Sequence, residues 1–364
     1  MATGRKTPLY DQHVAHGGHM APFAGWELPL RYSSAREEHL AVRKAVGLFD
    51  VSHMGQIVVE GPDAEDVVDF LVTGDVKGLG SGDVLYSPML NLSGGIVDDL
   101  IVYKRSETDI FICVNAATTE KDFLHMVAHN PGKAIIANIS DRFGQIAVQG
   151  PHSKELLARW APDIAVALDR PFRFVEKMVG GVEVLVSTTG YTGEWGYEIY
   201  CPWARADDIW EHLMDLGADL GVKPAGLSAR DTLRLEARFC LYGSDITEDT
   251  NPFEAGLGWT VHMDRDFVGR AALEAIDRSE LPRKLVGFRM TEGGMPRHDC
   301  QVQVDGAAVG QVTSGARAPT TGKVIGLAYI DRPHYKRKTV VEIDLRGRLR
   351  KAKVIRTPFY RRSE

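Results

Sequence analysis

Hydrophobic and polar positions alternate along this chain with two distinct periods. The stretch SSAREEHLAVRKAVGLF (33–49) carries Leu40, Val42 and Val46 as apolar positions. Ser34 and Glu37 stand three apart before them, the spacing of a helical capping box, and Gly47 is a natural stop. GQIVVEG (55–61) then reads as a strand, and PDAEDVVDFLVTGDV (62–76) as a helix with Val67, Val68, Phe70 and Leu71 inward. VLYSPML (84–90), GGIVDDLIVYK (94–104) and DIFICVN (109–115) are strand-like runs parted by turn residues, which predicts a meander. NAATTEKDFLHMVAHN (115–130) returns to helix, with Asn115 or Thr118 as the cap. The order β-α-β-β-β-α predicts an α+β lobe on an antiparallel sheet.

Beyond Pro151 come a helix (HSKELLARWAP), two strands around a Gly-rich turn (VEVLVSTTGYTGEWGYEIYCP) and two more helices (ADDIWEHLMDLGADLG and GLSARDTLRLEARF). From Arg283 onward the texture changes to six short strand-like runs, KLVGFRM to LRKAKVIRTPFY. That pattern predicts a small all-β barrel or sandwich, with EAIDRSELPRK as the linker before it.

Composition narrows the class. A chain of 364 residues, 44% apolar and 25% charged, is an ordinary globular protein of two or three domains. Its net charge of -6 opposes broad nucleic-acid binding. A basic run near the end (Lys336, Arg337, Lys338, then Arg346 to Arg362) is either a solvated face or a docking patch for an acidic partner. Cys113, Cys201, Cys240 and Cys300 are far apart and form no CxxC, which speaks against zinc and dithiol motifs and for a reducing compartment. The N-terminus lacks an apolar core like that of a leader, and no window has the apolar length of a membrane span. The expectation is a cytoplasmic protein.

Four segments could carry chemistry. In GGIVDDLIVYK two adjacent carboxylates, Asp98 and Asp99, interrupt strand formers. Strand alternation puts Asp99 with Val97, Ile101 and Tyr103, and Asp98 with Ile96, Leu100 and Val102. It leaves open which face is the core, and the plain alternative is that one Asp caps the Gly94-Gly95 turn. In TTGYTGEWGYEIY (188–200), Gly190, Gly193 and Gly196 permit close backbone approach, Tyr191, Trp195 and Tyr197 offer flat faces, and Glu194 and Glu198 offer acceptors. A planar heteroaromatic ligand with N–H donors suits that mixture, though an ordinary hairpin accounts for it too. Arg230, Arg234 and Arg238 recur at helical spacing, with Asp231 and Glu236 available to pair with them. One of these arginines could hold a carboxylate or ring oxygen with its planar fork. GLFDVSHMGQI places His53 after Asp50 and Ser52, but without a GxSxG elbow a hydrolase triad is a poor reading.

Taken together, and in this order, these segments resemble the aminomethyltransferase (T-protein) family of the glycine cleavage system. The resemblance runs from TPLYDQHVAHGGHMAPFAGWELPLRY through GLFDVSHMG, YSPMLNLSGGIVDDLIVY, TGYTGEWGYE, PAGLSARDTLRLEA and LYGSDITEDTNPFEAGLGW to the closing PFYR. It implies a three-domain α+β cloverleaf around a central folate site. Two interleaved lobes (roughly 1–52 with 142–277, and 53–141) would form the N-terminal region 1–277, and a β-barrel would form 278–364. It implies Asp99 as the catalytic carboxylate, Glu198 and Arg230 holding the pterin, and Tyr86, Tyr103, Asn115, Tyr191 and Tyr360 around the folate. Asp98, His53, Glu194 and Arg234 receive no role from it. The co-substrate would be tetrahydrofolate, with no metal and no nucleotide. The partner would be lipoylated H-protein, working with the P- and L-proteins, with no nucleic acid and no membrane.

Two relatives on the same fold compete. A folate-dependent demethylase would surround the Asp differently, and the intact GGIVDDLIVY opposes it. A non-enzymatic folate protein of iron–sulfur assembly carries a KGCYxGQE segment, where this chain has RFCLYGSDITEDT. The chain departs from the family at Ala318, where Ser is frequent, and at RPFRF, where a tyrosine pair is found in some members.

Overall fold

The computed structural model describes residues 4–362. They divide into two compact units. The first comprises residues up to 69, 75–86 and 100–231, and the second 70–74, 87–99 and everything from 232 on.

The first unit contains a six-stranded sheet in the order Phe174–Val179, Val182–Ser187, Gly196–Pro202, Phe143–Gln149, Val46–Asp50, Val222–Pro224. All its pairings are antiparallel except the last. Period-two alternation gives the sheet two different faces. Val184, Val186, Ile199, Ile146, Val148 and Leu48 point one way and pack with Leu156, Trp160, Trp210 and Leu213 of the helices Ser153–Trp160 and Ala206–Leu216. Leu185 and Tyr200 lie in the opposite phase. They join Val58, Tyr103, Phe111 and Cys113 of a second, five-stranded sheet. Its order is Val84–Leu90, Ile96–Ser106, Asp109–Val114, Gly55–Glu60, Ile135–Asn138. Gln145 and Glu198 share the phase of Leu185 and Tyr200, so polar side chains are buried on this second face.

In the second unit six strands close into a barrel, in the order Arg283–Met290, Val324–Asp331, Ala307–Arg317, Gln301–Val304, Val340–Asp344, Leu349–Ile355. Phe288, Val302, Val312, Ala328, Ile330, Val341, Ile343, Ala352 and Val354 fill it. Of the two architectures the strand pattern allows, the barrel is the one formed.

The structure differs from the local expectations in three places. The helix Ala35–Lys44 stops before Val46 and Gly47, which belong to the strand Val46–Asp50. That strand is buried along its whole length, so no alternation betrays it. Ser34 accepts from the Glu37 N–H at 3.2 Å as the capping box requires. The carboxylate that reaches back, however, is Glu38, which accepts from the N–H groups of Tyr32 (2.8 Å) and Ser33 (3.0 Å). A three-stranded sheet of Arg5–Lys6, Trp26–Arg31 and His19–Phe23 has no counterpart in the hydrophobic pattern. Among the described residues no helix is long and apolar enough to cross a membrane.

Candidate functional site

On the strand Ile96–Ser106 the two aspartates differ in burial. Ile96, Asp98, Leu100 and Val102 are all buried, and Asp98 has no exposed surface. On the other face Asp99 and Ile101 are half-buried, between Val97 and Tyr103, which are buried. In the preceding turn Asn91 Oδ1 accepts from the N–H groups of Ser93 and Gly95, both at 2.9 Å. Gly95 is required by crowding, since a Cβ there would lie 1.8 Å from the Glu248 carbonyl oxygen. Asp99 is close enough to the buried Cys240 for its charge to act on the thiol. Burial above all pushes that thiol up to about 12, Arg238 opposes, and Asp245 and Asp99 reinforce it.

Glu198 sits on the strand Gly196–Pro202 and is 8% exposed. Its Oε2 accepts from Thr189 Oγ1 at 2.5 Å and its Oε1 from Gln145 Nε2 at 3.5 Å. Burial holds its carboxyl above the usual range, while Thr189, Arg230 and Gln145 pull it back. The Arg230 guanidinium lies 4.8 Å from the centre of the Tyr191 ring, a cation–π geometry. Arg230 also borders a small recess with Leu28, Pro29, Phe49 and Asp50.

Two of the three glycines of TTGYTGEWGYE make room for a side chain of the protein itself. A Cβ on Gly190 or Gly196 would fall 2.0 Å or 2.3 Å from the Gln149 amide. The loop is wrapped around that side chain, which donates to the carbonyls of Thr189 and Tyr197 and accepts from Thr192 Oγ1. Glu194 is likewise engaged, in a buried pair with Arg43 at 2.9 Å.

The remaining candidates come from several elements of the chain. Tyr103 has no exposed surface. Its hydroxyl meets that of Tyr200 at 2.8 Å, and its ring sits edge-on to Phe111, Phe174 and Tyr200. Tyr86 and Tyr191 are half-buried in the first unit. Asn115 follows the strand Asp109–Val114, and its carbonyl accepts from the Thr118 N–H at 3.2 Å. Tyr360 lies in the second unit, where its N–H donates to the Glu236 carbonyl at 2.9 Å. The three arginines do not act as one face. Arg234 is buried and pairs with Asp245 at 2.5 Å. Arg238 lies beyond the end of the helix Leu227–Ala237, with φ +67°. Glu236 accepts from Thr320 N and Oγ1 at 3.0 and 2.7 Å.

The Asp50-Ser52-His53 sequence forms no triad. Asp50 Oδ2 meets His13 Nε2 at 2.7 Å, and Oδ1 accepts from the Ser52 N–H. The Ser52 hydroxyl is spent on the Gln145 backbone. His53 is buried edge-on to Phe23, and its Nδ1 has no hydrogen-bond partner. Burial pushes its imidazole down to about 4, Arg230 adding to the effect and Asp50 opposing it. A group lowered in this way must be neutral in the folded chain. Its stabilising contribution is therefore present above 6.5 and is lost as pH falls from 6.5 toward 4. Chemical denaturation at pH 7.5 and pH 5 should show the native chain losing about 2 kcal/mol more than His53→Gln over that interval. Equal losses would contradict a neutral, buried His53.

Mixed α/β sheets followed by a closed barrel are the architecture of the glycine cleavage T-protein class. The model of the GCVT N-terminal domain matches residues 9–265, and that of the glycine cleavage T-protein C-terminal barrel domain matches residues 283–361. The chain belongs to the aminomethyltransferase family and is a transferase. It is 44% identical to the aminomethyltransferase of Bacillus cereus (strain AH187), over all of both chains. It is also 44% identical to that of Bacillus subtilis (strain 168), covering 98% of this chain and 99% of the relative. The crystal structure of the glycine cleavage system aminomethyltransferase T from Bartonella henselae matches with a TM-score of 0.89 and 32% identity, over 98% of each chain.

Proposed function

We propose that the chain transfers the methylene carbon of an aminomethyl group from the lipoyl arm of H-protein to tetrahydrofolate. The products are 5,10-methylenetetrahydrofolate, ammonia and dihydrolipoyl H-protein. The observation that carries this reading is Glu198. It is a buried carboxylate with Arg230 nearby, and each of its oxygens accepts one side-chain hydrogen bond. A carboxylate accepts about four, so one site per oxygen is left for a pair of N–H donors such as a pterin edge presents.

In this reading Glu198 and Arg230 hold the pterin, with Tyr191 steadying the guanidinium. Tyr86, Tyr103, Asn115 and Tyr360 shape the folate environment. Folate supplies the attacking nitrogen. The protein must then stabilise positive charge on the carbon in flight and take a proton from the second nitrogen. Asp99 is the group assigned to both tasks, as a fixed carboxylate on the more open face of its strand. Cys113, Cys201 and Cys240 are pushed up to about 12 by burial, so none is a thiolate nucleophile at neutral pH.

The P- and L-proteins would complete the cycle, and the four unpaired cysteines fit a reducing cytoplasm. Lys351 and Lys353 alternate with the barrel-filling Ala352 and Val354. Their side chains are thus on the outer surface, available to an acidic carrier.

The test is purified chain with tetrahydrofolate and aminomethylated lipoyl H-protein, scored for ammonia. Catalytic release is expected. No release, with methyl transfer from a sulfonium donor instead, would favour a demethylase. Calorimetry should show Glu198→Ala and Arg230→Ala each weakening tetrahydrofolate binding by about tenfold or more. Unchanged affinity would refute their assignment.

A further inference from the structure

The DVSHMGQ segment has no part in the reaction as read, yet it converges on one residue, Gln145, holding its backbone and its side chain. Ser52 Oγ accepts from the Gln145 N–H at 3.0 Å and lies 3.3 Å from the Gln145 carbonyl oxygen. The Val51 N–H donates to that same carbonyl at 2.9 Å. Asp50 in turn holds the Ser52 N–H. At the far end of the segment, Gln56 Nε2 donates to Gln145 Oε1 at 3.1 Å. Cys113 Sγ lies 3.8 Å from the same oxygen. The Gln145 amide therefore has its oxygen occupied by donors, and its nitrogen must turn the other way, toward Glu198 Oε1.

Gln56 is fully buried, and its own Oε1 has no partner. An unmade buried acceptor is destabilising, and a Leu or Met there would avoid it. The gain that offsets this is orientation. An ionised carboxylate only accepts, so Gln145 must present N–H to it, and Gln145 Oε1 must then find a donor behind it. Gln56 is that donor. The chain Gln56–Gln145–Glu198 crosses from the five-stranded to the six-stranded sheet within the first unit.

We propose that Gln145, locked by Ser52 and Gln56, is a positioning residue that keeps Glu198 ionised and oriented as an acceptor for a ligand carrying paired N–H donors. The proposal rests on the reading of Glu198 as the folate carboxylate, but its first test needs no folate. The Glu198 carboxyl is followed by carbon-13 NMR titration in the full-length chain, assigned by its loss in Glu198→Gln. In Gln145→Met and in Gln56→Met, Glu198 should take up its proton at higher pH than in the native chain. Thermal denaturation confirms that each variant is folded. If Gln145→Met does not fold, Gln56→Met, which leaves Gln145 in place, carries the test.

The second readout is tetrahydrofolate binding by calorimetry across pH. Gln145→Met should bind about tenfold more weakly at neutral pH, and its loss of affinity on acidification should begin at higher pH than in the native chain. A Glu198 titration unmoved in the folded variants would overturn the proposal. A moved titration, with folate affinity indifferent to Glu198→Ala, would leave the positioning intact and sink the folate assignment instead.

Discussion

Asp99→Asn will bind tetrahydrofolate nearly as tightly as the native chain and turn over about a hundredfold more slowly, or worse. The substitution keeps the shape of the side chain and removes its charge and basicity. Loss of a general base and of a fixed charge opposite developing positive charge each contributes on the order of a hundredfold or more. Binding is spared because the folate-holding roles are assigned to other residues, Glu198 and Arg230. Steady-state ammonia release beside calorimetric affinity separates the two effects. A variant that loses affinity and turnover in equal measure would mean that Asp99 holds the ligand and does no chemistry.

The largest effect on folding is expected at Asp245. Its side chain has no exposure, and it sits at the centre of a hydrogen-bond network within the second unit. Arg234 Nη1 lies 2.5 Å from Oδ2, which also takes the Leu241 N–H at 3.0 Å. Oδ1 takes the hydroxyls of Thr313 (2.5 Å) and Ser314 (2.7 Å), and the Asp245 carbonyl takes the Tyr329 hydroxyl at 3.0 Å. Asp245→Ala removes the side-chain bonds and takes a carboxylate from beside the buried Arg234. Breaking one half of a buried pair typically costs about 3–5 kcal/mol. The midpoint of urea denaturation should drop accordingly. The double change Arg234→Met with Asp245→Leu should recover much of the loss, because both members of the buried pair are then replaced by apolar groups. A single variant within about 0.5 kcal/mol of the native chain would show that the network is not a stabilising one.

Much of this fold is legible because period is a strong signal wherever one face is apolar. The barrel strands Val340–Asp344 and Leu349–Ile355 alternate, the helices 153–160 and 206–216 each carry an apolar stripe, and the pattern alone predicts them. The strand Val46–Asp50 escapes such a reading because it is buried on both faces and ends in an aspartate. The three-stranded N-terminal sheet escapes it because its strand His19–Phe23 is exposed or half-buried throughout and so shows no apolar phase. In the candidate site, alternation separates Asp98 from Asp99, and only burial tells the fully buried Asp98 from the half-buried Asp99. The glycines around Tyr191 look like room for a ligand, whereas they make room for Gln149, a contact about 40 residues away in sequence. Gln56 and Gln145 give no signal at all. An uncharged amide in a strand looks like surface until both its neighbours in space are known.

The most direct measurement is single-turnover ammonia release at saturating tetrahydrofolate, with Asp99→Asn and Asp98→Asn compared side by side. The two residues are adjacent and of the same type, and they differ in the face of the strand they occupy. The loss should be confined to Asp99→Asn, while a folded Asp98→Asn stays within a few-fold of the native rate. Equal losses from both, in chains shown to be folded, would contradict the assignment of the chemistry to the open face of that strand.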